Sequence, residues 1–346
     1  MTTSFSSLPI VDLSVLSSSS PCASEIKRLS TQLYDVFATT GFAYLTNAPL
    51  SSSHEDVFQL ASDFFRMTEA SKMQLAKKTF VKGNNNTYRG YFPPQLGQKD
   101  NLKEGFEVGP SNTPVQTHSR SKQKFNLAES NVWPEEDAFP NGKARLEQLH
   151  TELQSLSSTL VSLLAISLGK QADFFSGYLS NSLSTLRLLH YPLQPSAVER
   201  GADEVKLCCT PHTDSGILTL LHQDTTGGLE VLNSSNEWIP APYVPGSIVI
   251  NIGDLLANVS GGRFVATMHR VRTNGGGSSS ADGMGRFSVP FFFEPGEDCI
   301  VRSIDGGESV VYGEHVRRKM GTFVEFQDMP EESVNWGAAT TIAVEA

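Results

Sequence analysis

The sequence lacks several features that would assign a protein to a class at once. Its four cysteines form no CxxC pair in 346 residues, which argues against a zinc ribbon or a disulfide scaffold and predicts free thiols. No apolar run approaches the roughly 20 residues that span a bilayer, and no basic region precedes an apolar stretch in the first thirty residues. We therefore expect a cytoplasmic protein with no membrane partner.

Positive charge is also scarce. The 37 acidic and 27 basic residues give a net charge of −10, which disfavours nucleic acid and anionic lipid as partners. The motifs GxGxxG, GxxxxGK[ST], HExxH and GxSxG are absent, so the usual signatures of nucleotide binding, zinc proteolysis and serine hydrolysis are missing. Histidines and carboxylates remain as the candidates for chemistry.

The period of the apolar residues changes along the chain. Helical spacing predicts helices over Glu25–Phe37, Glu55–Ala76 and Gly142–Leu168, and a turn-rich loop is expected over Lys82–Asn131. After Ser182 short β-prone runs follow one another, punctuated by Gly, Pro and Asn. They cover 183–191, 217–222, 229–232, 247–252, 263–272 and 287–294. This spacing favours a sandwich, barrel or jelly roll over a parallel sheet.

Four His-x-acid triplets stand out, and they begin at His54, His150, His212 and His222. His54 and His150 fall in or beside predicted helices, where residues two apart diverge, so we interpret both as surface residues. The acid that follows His222 falls in a turn and is expected to serve that turn. His212 and Asp214 are predicted at the entrance to the 217–222 strand, where a period of two places both side chains on one face.

A third ligand would come from His269, in the predicted strand 263–272. Two imidazoles and one carboxylate on one side of a metal are typical of non-haem Fe(II) oxygenases, whereas a structural zinc site needs a fourth protein ligand. Unrelated histidines of a β core are the alternative. Arg286 and Ser288 alternate in the next strand and could together bind a carboxylate, although a surface arginine is the simpler interpretation.

The order of these pieces is specific when they are read together. They are, in sequence, Leu186-Arg187-Leu188-Leu189-His190-Tyr191-Pro192, His212-Thr213-Asp214, Gly246 to Asp254, His269-Arg270-Val271 and Arg286-x-Ser288, preceded by Leu8-Pro9-Ile10-Val11-Asp12, Gly41-Phe42-Ala43-Tyr44, Arg89-Gly90-Tyr91 and Lys103-Glu104-Gly105-Phe106. Over about residues 8–325 the chain resembles the isopenicillin N synthase-like branch of the 2-oxoglutarate- and Fe(II)-dependent dioxygenases.

The resemblance implies a β-dominated α+β fold with a double-stranded β-helix (jelly-roll) core flanked by helices. One compact domain is expected, with an N-terminal mixed region at 1–130, a supporting helix region at 131–182, the catalytic core at 183–300 and a C-terminal segment at 301–346. His212, Asp214 and His269 would bind Fe(II), and Arg286, Ser288 and Tyr191 would bind 2-oxoglutarate. A C–H bond of a small organic molecule would be oxidised with O₂, and succinate and CO₂ released. The expected state is a monomer or weak homodimer.

The chain departs from the family pattern at identifiable places. Many relatives carry Asn-Tyr-Tyr-Pro where this chain has Leu-His-Tyr-Pro, so an amide contact is missing at Leu189. The Gly/Ser-rich segment Gly275–Gly283 is expected to form a mobile flap. Candidate substrate contacts are Tyr91, His190 and Phe292, with most of the 291–293 phenylalanines expected in the core.

Two further functions remain open at this stage. An isopenicillin N synthase-type oxidase would use equivalents of Arg286 and Ser288 for its substrate carboxylate and would not need 2-oxoglutarate. A non-catalytic metal-binding jelly-roll protein is the alternative from a different class.

Overall fold

A computed structural model describes residues 3–94, 103–111, 126–193, 207–272, 283–306 and 309–320. The expected flap therefore lies, apart from Gly283, outside the described residues. Six α-helices are found in these ranges: α1 Ala23–Thr39, α2 His54–Phe65, α3 Glu69–Gln74, α4 Gly142–Ser167, α5 Asp254–Val259 and α6 Tyr312–Met320. None of them combines the length and apolarity that a membrane-crossing helix requires.

The described strands outnumber the helices. They are β1 Ile10–Asp12, β2 Phe42–Thr46, β3 Gly90–Phe92, β4 Glu104–Val108, β5 Thr185–Pro192, β6 Leu207–His212, β7 Leu218–Gln223, β8 Leu229–Leu232, β9 Trp238–Pro240, β10 Ser247–Ile252, β11 His269–Arg272, β12 Gly285–Phe293, β13 Ile300–Arg302 and β14 Ser309–Val311.

Two sheets form the framework of the fold. The larger has eight strands in the order β1-β2-β10-β7-β12-β5-β4-β3, and the smaller has four in the order β6-β11-β8-β9. An apolar cluster joins them, since Phe42 and Val249 of the larger sheet pack with Val231 and Val271 of the smaller. This is the predicted jelly-roll core flanked by helices, which the structure confirms.

Helices α1, α2 and α4 cover the outer face of the larger sheet. Helix α4 packs against α1 and β12, and its buried leucines join the main core. It ends where predicted, because Gly169 adopts φ +72° and allows the amide of Lys170 to bond back to the carbonyl of Ala165. The site lies on the opposite, inner face of the sheet.

Two expectations about secondary structure need correction. The single helix expected over 55–76 is two helices, because Thr68 starts a new one by accepting a hydrogen bond from the amide of Ser71 at 3.1 Å. The expected loop over 82–131 contains β3 and β4, which pair with each other and extend the larger sheet. Their short length and glycines hide the strand pattern.

Candidate metal centre and cavity

The two candidate histidine ligands lie opposite each other across one strand pair. His212 ends β6, His269 begins β11, and the antiparallel register pairs these two residues directly. Asp214 follows two residues after β6. The expectation that His212 and Asp214 enter the 217–222 strand was therefore wrong: β6 is a separate strand of the smaller sheet, and Pro211 within it obscures its pattern.

The three side chains converge on one point. One ligand atom from each of His212, Asp214 and His269 lies within 4.8 Å of the other two. Each imidazole Nε2 is 3.8 Å from Oδ1 of Asp214. The Nδ1 atoms face backbone carbonyls, of Thr210 at 2.8 Å and Thr267 at 3.1 Å, so they carry the protons and leave Nε2 free to bind a metal.

The carboxylate of Asp214 is oriented from its other oxygen. Its Oδ2 accepts hydrogen bonds from Thr219 Oγ1 at 2.6 Å and Asn251 Nδ2 at 2.8 Å, while Oδ1 faces the histidines. Burial disfavours the charged form of Asp214, but His269, His212 and these two hydrogen bonds outweigh it and lower its pKa. The donor set of two neutral nitrogens and one carboxylate on one side fits a divalent iron with open positions.

A second polar centre lies on β12. Arg286 and Ser288 are both buried, and Arg286 pairs in register with Tyr191 of β5. The guanidinium carbon lies 4.8 Å from the ring centroid of Tyr191, and its Nε donates to the carbonyl of Gly227 at 2.8 Å. The Nη1 of Arg286 is buried and has no hydrogen-bond partner among the described residues. A bound carboxylate would satisfy this donor.

Both centres open into one cavity of about 270 Å³ between the two sheets. Strand alternation supplies much of its lining. On β12 residues 286, 288, 290 and 292 face the cavity, whereas residues 287, 289, 291 and 293 are in the main core. On β5 residues 185, 187, 189 and 191 also face the cavity. Phe292 and Leu189 thus line the cavity, while Phe291 and Phe293 are core residues.

The alternation also corrects two candidate substrate contacts. His190 lies between Leu189 and Tyr191 in the strand, so its side chain is on the outer face, where its ring stacks on Phe287 at 4.9 Å. Tyr91 is in the main core, and its hydroxyl donates to Glu104 at 2.6 Å. Neither residue lines the cavity.

The other histidines are not all surface residues. His150 is buried, its Nε2 lies 3.0 Å from the carbonyl of Ser184, and its ring meets Phe291 edge to face. His54 is half-buried beside Tyr243. The surface interpretation was wrong because a histidine with one satisfied nitrogen packs readily in a core. Asp224 does serve its turn, accepting from the amide of Thr226 at 2.9 Å.

Sequence reasoning missed the polar groups that surround these centres. Thr219 and Asn251 pair directly between β7 and β10, and a polar residue within the apolar 247–252 run was the available signal for Asn251. Arg187 lines the cavity with its guanidinium carbon 5.2 Å from the Phe292 ring, and it forms an ion pair with the buried Glu107. Glu294 lies at the same end of the cavity.

Comparison with known families agrees with this architecture. Residues 183–295 match the 2OG-Fe(II) oxygenase superfamily, and residues 8–136 match the family described as non-haem dioxygenase in morphine synthesis N-terminal. A 2-oxoglutarate-dependent dioxygenase of Didymella fabae is 33% identical over 83% of this chain and 85% of its own length. Homoarginine-6-hydroxylase 2-ODD-233 of Oryza sativa is 30% identical over 93% of this chain and 99% of its own.

Solved structures share the fold. A 2OG-Fe(II) oxygenase family protein from Caulobacter crescentus has a TM-score of 0.72 and 28% identity, covering 91% of this chain and 99% of that one. A full-length Neurospora crassa protein, in complex with alpha-KG and 5-formyluracil, has a TM-score of 0.74 and 24% identity, covering 91% and 96%. The fold and the two-histidine, one-carboxylate donor set are those of a jelly-roll non-haem iron oxygenase. The chain belongs to the 2-oxoglutarate- and Fe(II)-dependent dioxygenase family, whose cosubstrates are 2-oxoglutarate and O₂.

Proposed function

We propose that His212, Asp214 and His269 bind the catalytic Fe(II), and that Arg286, with Tyr191 and Ser288, binds the distal carboxylate of 2-oxoglutarate. The observation that supports this most directly is the buried, unpaired Nη1 of Arg286 in the same cavity as three convergent ligand atoms. The bound iron with 2-oxoglutarate and O₂ supplies the oxidising power for a substrate C–H bond, with release of succinate and CO₂.

Different side chains orient the metal ligands and bind the cosubstrate. The backbone carbonyls of Thr210 and Thr267 hold protons on Nδ1 of the two histidines, and Thr219 and Asn251 fix the rotation of Asp214. Arg286 is buried and presents an unpaired Nη1 donor that a carboxylate can accept from. The residues therefore bind and orient the reactants while their own covalent structure stays unchanged.

The substrate end of the cavity has its own chemistry. Arg187 and Glu294 offer a donor and an acceptor beside the Phe292 ring, and Leu189 adds apolar surface. We infer a small organic molecule with a flat or apolar body and a hydrogen-bonding end, and hydroxylation or a related oxidative rearrangement as its reaction. Relatives named homoarginine-6-hydroxylase, and the Neurospora crassa protein solved with thymine and with 5-formyluracil, suggest a guanidino amino acid and pyrimidine bases for a first panel.

The proposal also includes the predicted domain organisation, location and oligomeric state. The four regions at 1–130, 131–182, 183–300 and 301–346 are taken as parts of one domain, because one apolar cluster draws residues from each, including Val316. Cytoplasmic location and a monomeric or weakly dimeric state stay predictions from the sequence.

Anaerobic titration with Fe(II) and then 2-oxoglutarate, followed by succinate assay against the substrate panel, tests the proposal. His269→Ala should lose bound iron and turnover, whereas His54→Ala, at a half-buried histidine outside the cavity, should keep both. Near-normal turnover in His269→Ala would overturn the ligand assignment. Turnover without added 2-oxoglutarate would support the oxidase alternative instead.

A further inference from the structure

His190 makes two hydrogen bonds that only one protonation state can satisfy. Its Nδ1 lies 2.7 Å from Oε1 of Glu104, and its Nε2 lies 2.9 Å from the carbonyl oxygen of Met284. A backbone carbonyl only accepts, and so does an ionised carboxylate. Both ring nitrogens must therefore donate, which requires the imidazolium.

Glu104 is held in the ionised form by its other contacts. Its Oε2 accepts from Lys72 Nζ at 2.7 Å and from the hydroxyl of Tyr91 at 2.6 Å. Burial alone would raise the pKa of Glu104, but the hydrogen bonds from His190, Lys72 and Tyr91 lower it overall. The carboxylate therefore has no proton to share with the imidazole.

The contacts of His190 bracket Arg286 on β12. On one side His190 binds the carbonyl of Met284, two residues before Arg286, and on the other it stacks on Phe287 with the rings 21° from parallel. Gly285 lies between, at φ +118°, where an added Cβ would clash with the carbonyl oxygen of Tyr191. The backbone that aims Arg286 into the cavity is thus fixed from the outer face of the sheet.

We propose that His190 is a positioning residue, which in its doubly protonated form anchors the Met284–Phe287 segment and so sets the orientation of Arg286 and the affinity for 2-oxoglutarate. The inference rests on the role of Arg286 in the proposed function. Loss of the second proton breaks the bond to Met284. The segment then keeps its strand pairing, the ring stacking, and the contacts of Arg66 with the Met284 sulfur and of the Phe287 amide with Asp224.

The groups around His190 come from several elements of the fold. They are Glu104 from β4 with its partners Lys72 and Tyr91, Phe65 from α2, and Phe287 and Met284 at β12. Two further charges lie one contact away, Arg66 on the Met284 sulfur and Glu69 near Tyr91. The pKa of Tyr91 is raised by burial and by Glu104, and the pKa of Glu104 is lowered. Neither group titrates between pH 6 and 9.

The experiment compares 2-oxoglutarate binding to the anaerobic, metal-loaded protein from pH 6 to pH 9 in wild type, His190→Phe, Arg286→Lys and His150→Phe. His190→Phe keeps a ring against Phe287 and loses both hydrogen bonds. Its Kd for 2-oxoglutarate should exceed that of wild type by about fivefold, the value of one lost hydrogen bond, because only the bond to Met284 acts directly on the Met284–Phe287 segment. At any pH where the ¹⁵N resonances show only one protonated ring nitrogen on wild-type His190, the ratio of the two Kd values should be smaller.

His150→Phe is the matched control, because His150 is another buried histidine with one carbonyl partner and one aromatic neighbour, remote from β12's first residues. It should leave the Kd unchanged. A ratio that stays constant although His190 has lost a ring proton, or a wild-type Kd for His190→Phe beside a weakened Arg286→Lys, would overturn the inference alone. An unchanged Kd in Arg286→Lys would instead overturn the proposed role of Arg286.

The imidazole ¹⁵N resonances of wild-type protein give a test that needs no variant. Two protonated nitrogens on His190 at neutral pH are expected, and a neutral tautomer there would overturn the inference. In turnover, the KM for 2-oxoglutarate should change in His190→Phe while the KM for the substrate does not, which a general loss of folding would not produce.

Discussion

Replacing Thr219 tests whether the orientation of the Asp214 carboxylate affects iron binding while the three metal ligands themselves stay unchanged. Its hydroxyl donates to Oδ2 of Asp214 at 2.6 Å and is buried, and it touches the carboxylate on the side away from the histidines. Thr219→Val removes this hydroxyl with little change of shape and leaves all three metal ligands in place. The variant therefore tests whether the carboxylate must be held in its rotamer to bind iron.

The size of the effect follows from the bonds that remain. A hydrogen bond to a charged group contributes about 1.5–3 kcal/mol, and loss of a group that orients a metal ligand typically weakens metal binding about 10- to 100-fold. Asn251 still donates to the same oxygen at 2.8 Å, so we expect the lower end, about tenfold. In Thr219→Val/Asn251→Ala the loss should exceed the sum of the two single losses, because either donor alone can fix the carboxylate.

Anaerobic calorimetric titration with Fe(II) measures this directly. Ser30→Ala serves as the control, since Ser30 is also buried and donates its hydroxyl to the carbonyl of Leu163 at 2.6 Å, outside the cavity. It should lower the melting temperature without weakening iron binding. If Thr219→Val binds iron as tightly as Ser30→Ala does, orientation of Asp214 does not limit affinity and the reasoning fails.

Three other outcomes follow from the structure. Arg286→Lys should retain iron but weaken 2-oxoglutarate binding by about 1–3 kcal/mol, because the ammonium cannot form the planar fork; anaerobic titration checks this. Burial raises the pKa of Glu294 to about 7, so the folded state keeps a proton that the unfolded state releases near 4.5, and stability declines as pH rises between these values. Melting curves of Glu294→Gln should lack this decline. Burial lowers the pKa of His150 to about 4, so the free energy of unfolding declines as the pH falls from 6.5 to 4. The difference in this free energy between wild type and His150→Phe, taken from denaturation curves, should therefore be smaller at about pH 4.5 than at about pH 7.5.

The sequence predicted the fold and the central motifs because their signals are local. The helix at 142–168 and the strands at 229–232 and 247–252 were predicted within a residue of their observed bounds, since leucine spacing and β-branched runs report burial directly. The break at Thr68 was missed because one capping hydroxyl interrupts an otherwise continuous apolar pattern. Strand β6 was missed because its residues are half-exposed and include Pro211.

The errors at the site have a different cause. His190 and Tyr191 are consecutive residues of a strand, so the period of two alone excludes a cavity position for both, and the 2-oxoglutarate assignment of Tyr191 fixes which one faces inward. The partners of Asp214 depend on the register of β7 against β10. No local pattern encodes that register, because it is set by packing between segments about thirty residues apart.

The charges of the site suggest why its two centres occur together. With Fe(II) bound as proposed, Asp214 would leave one net positive charge at the metal, and Arg286 adds another in the same cavity. Without an anion both would be buried with incomplete compensation, which is costly in a medium that screens poorly. 2-Oxoglutarate carries two negative charges, and in the proposed arrangement one carboxylate would offset each of these two positive charges. Arg187 and Lys319, which also line the cavity, form ion pairs with Glu107 and Asp254. Metal and cosubstrate should therefore bind with positive cooperativity. The end of the cavity at Phe292 then remains for the substrate, whose own charge need not balance that of the iron.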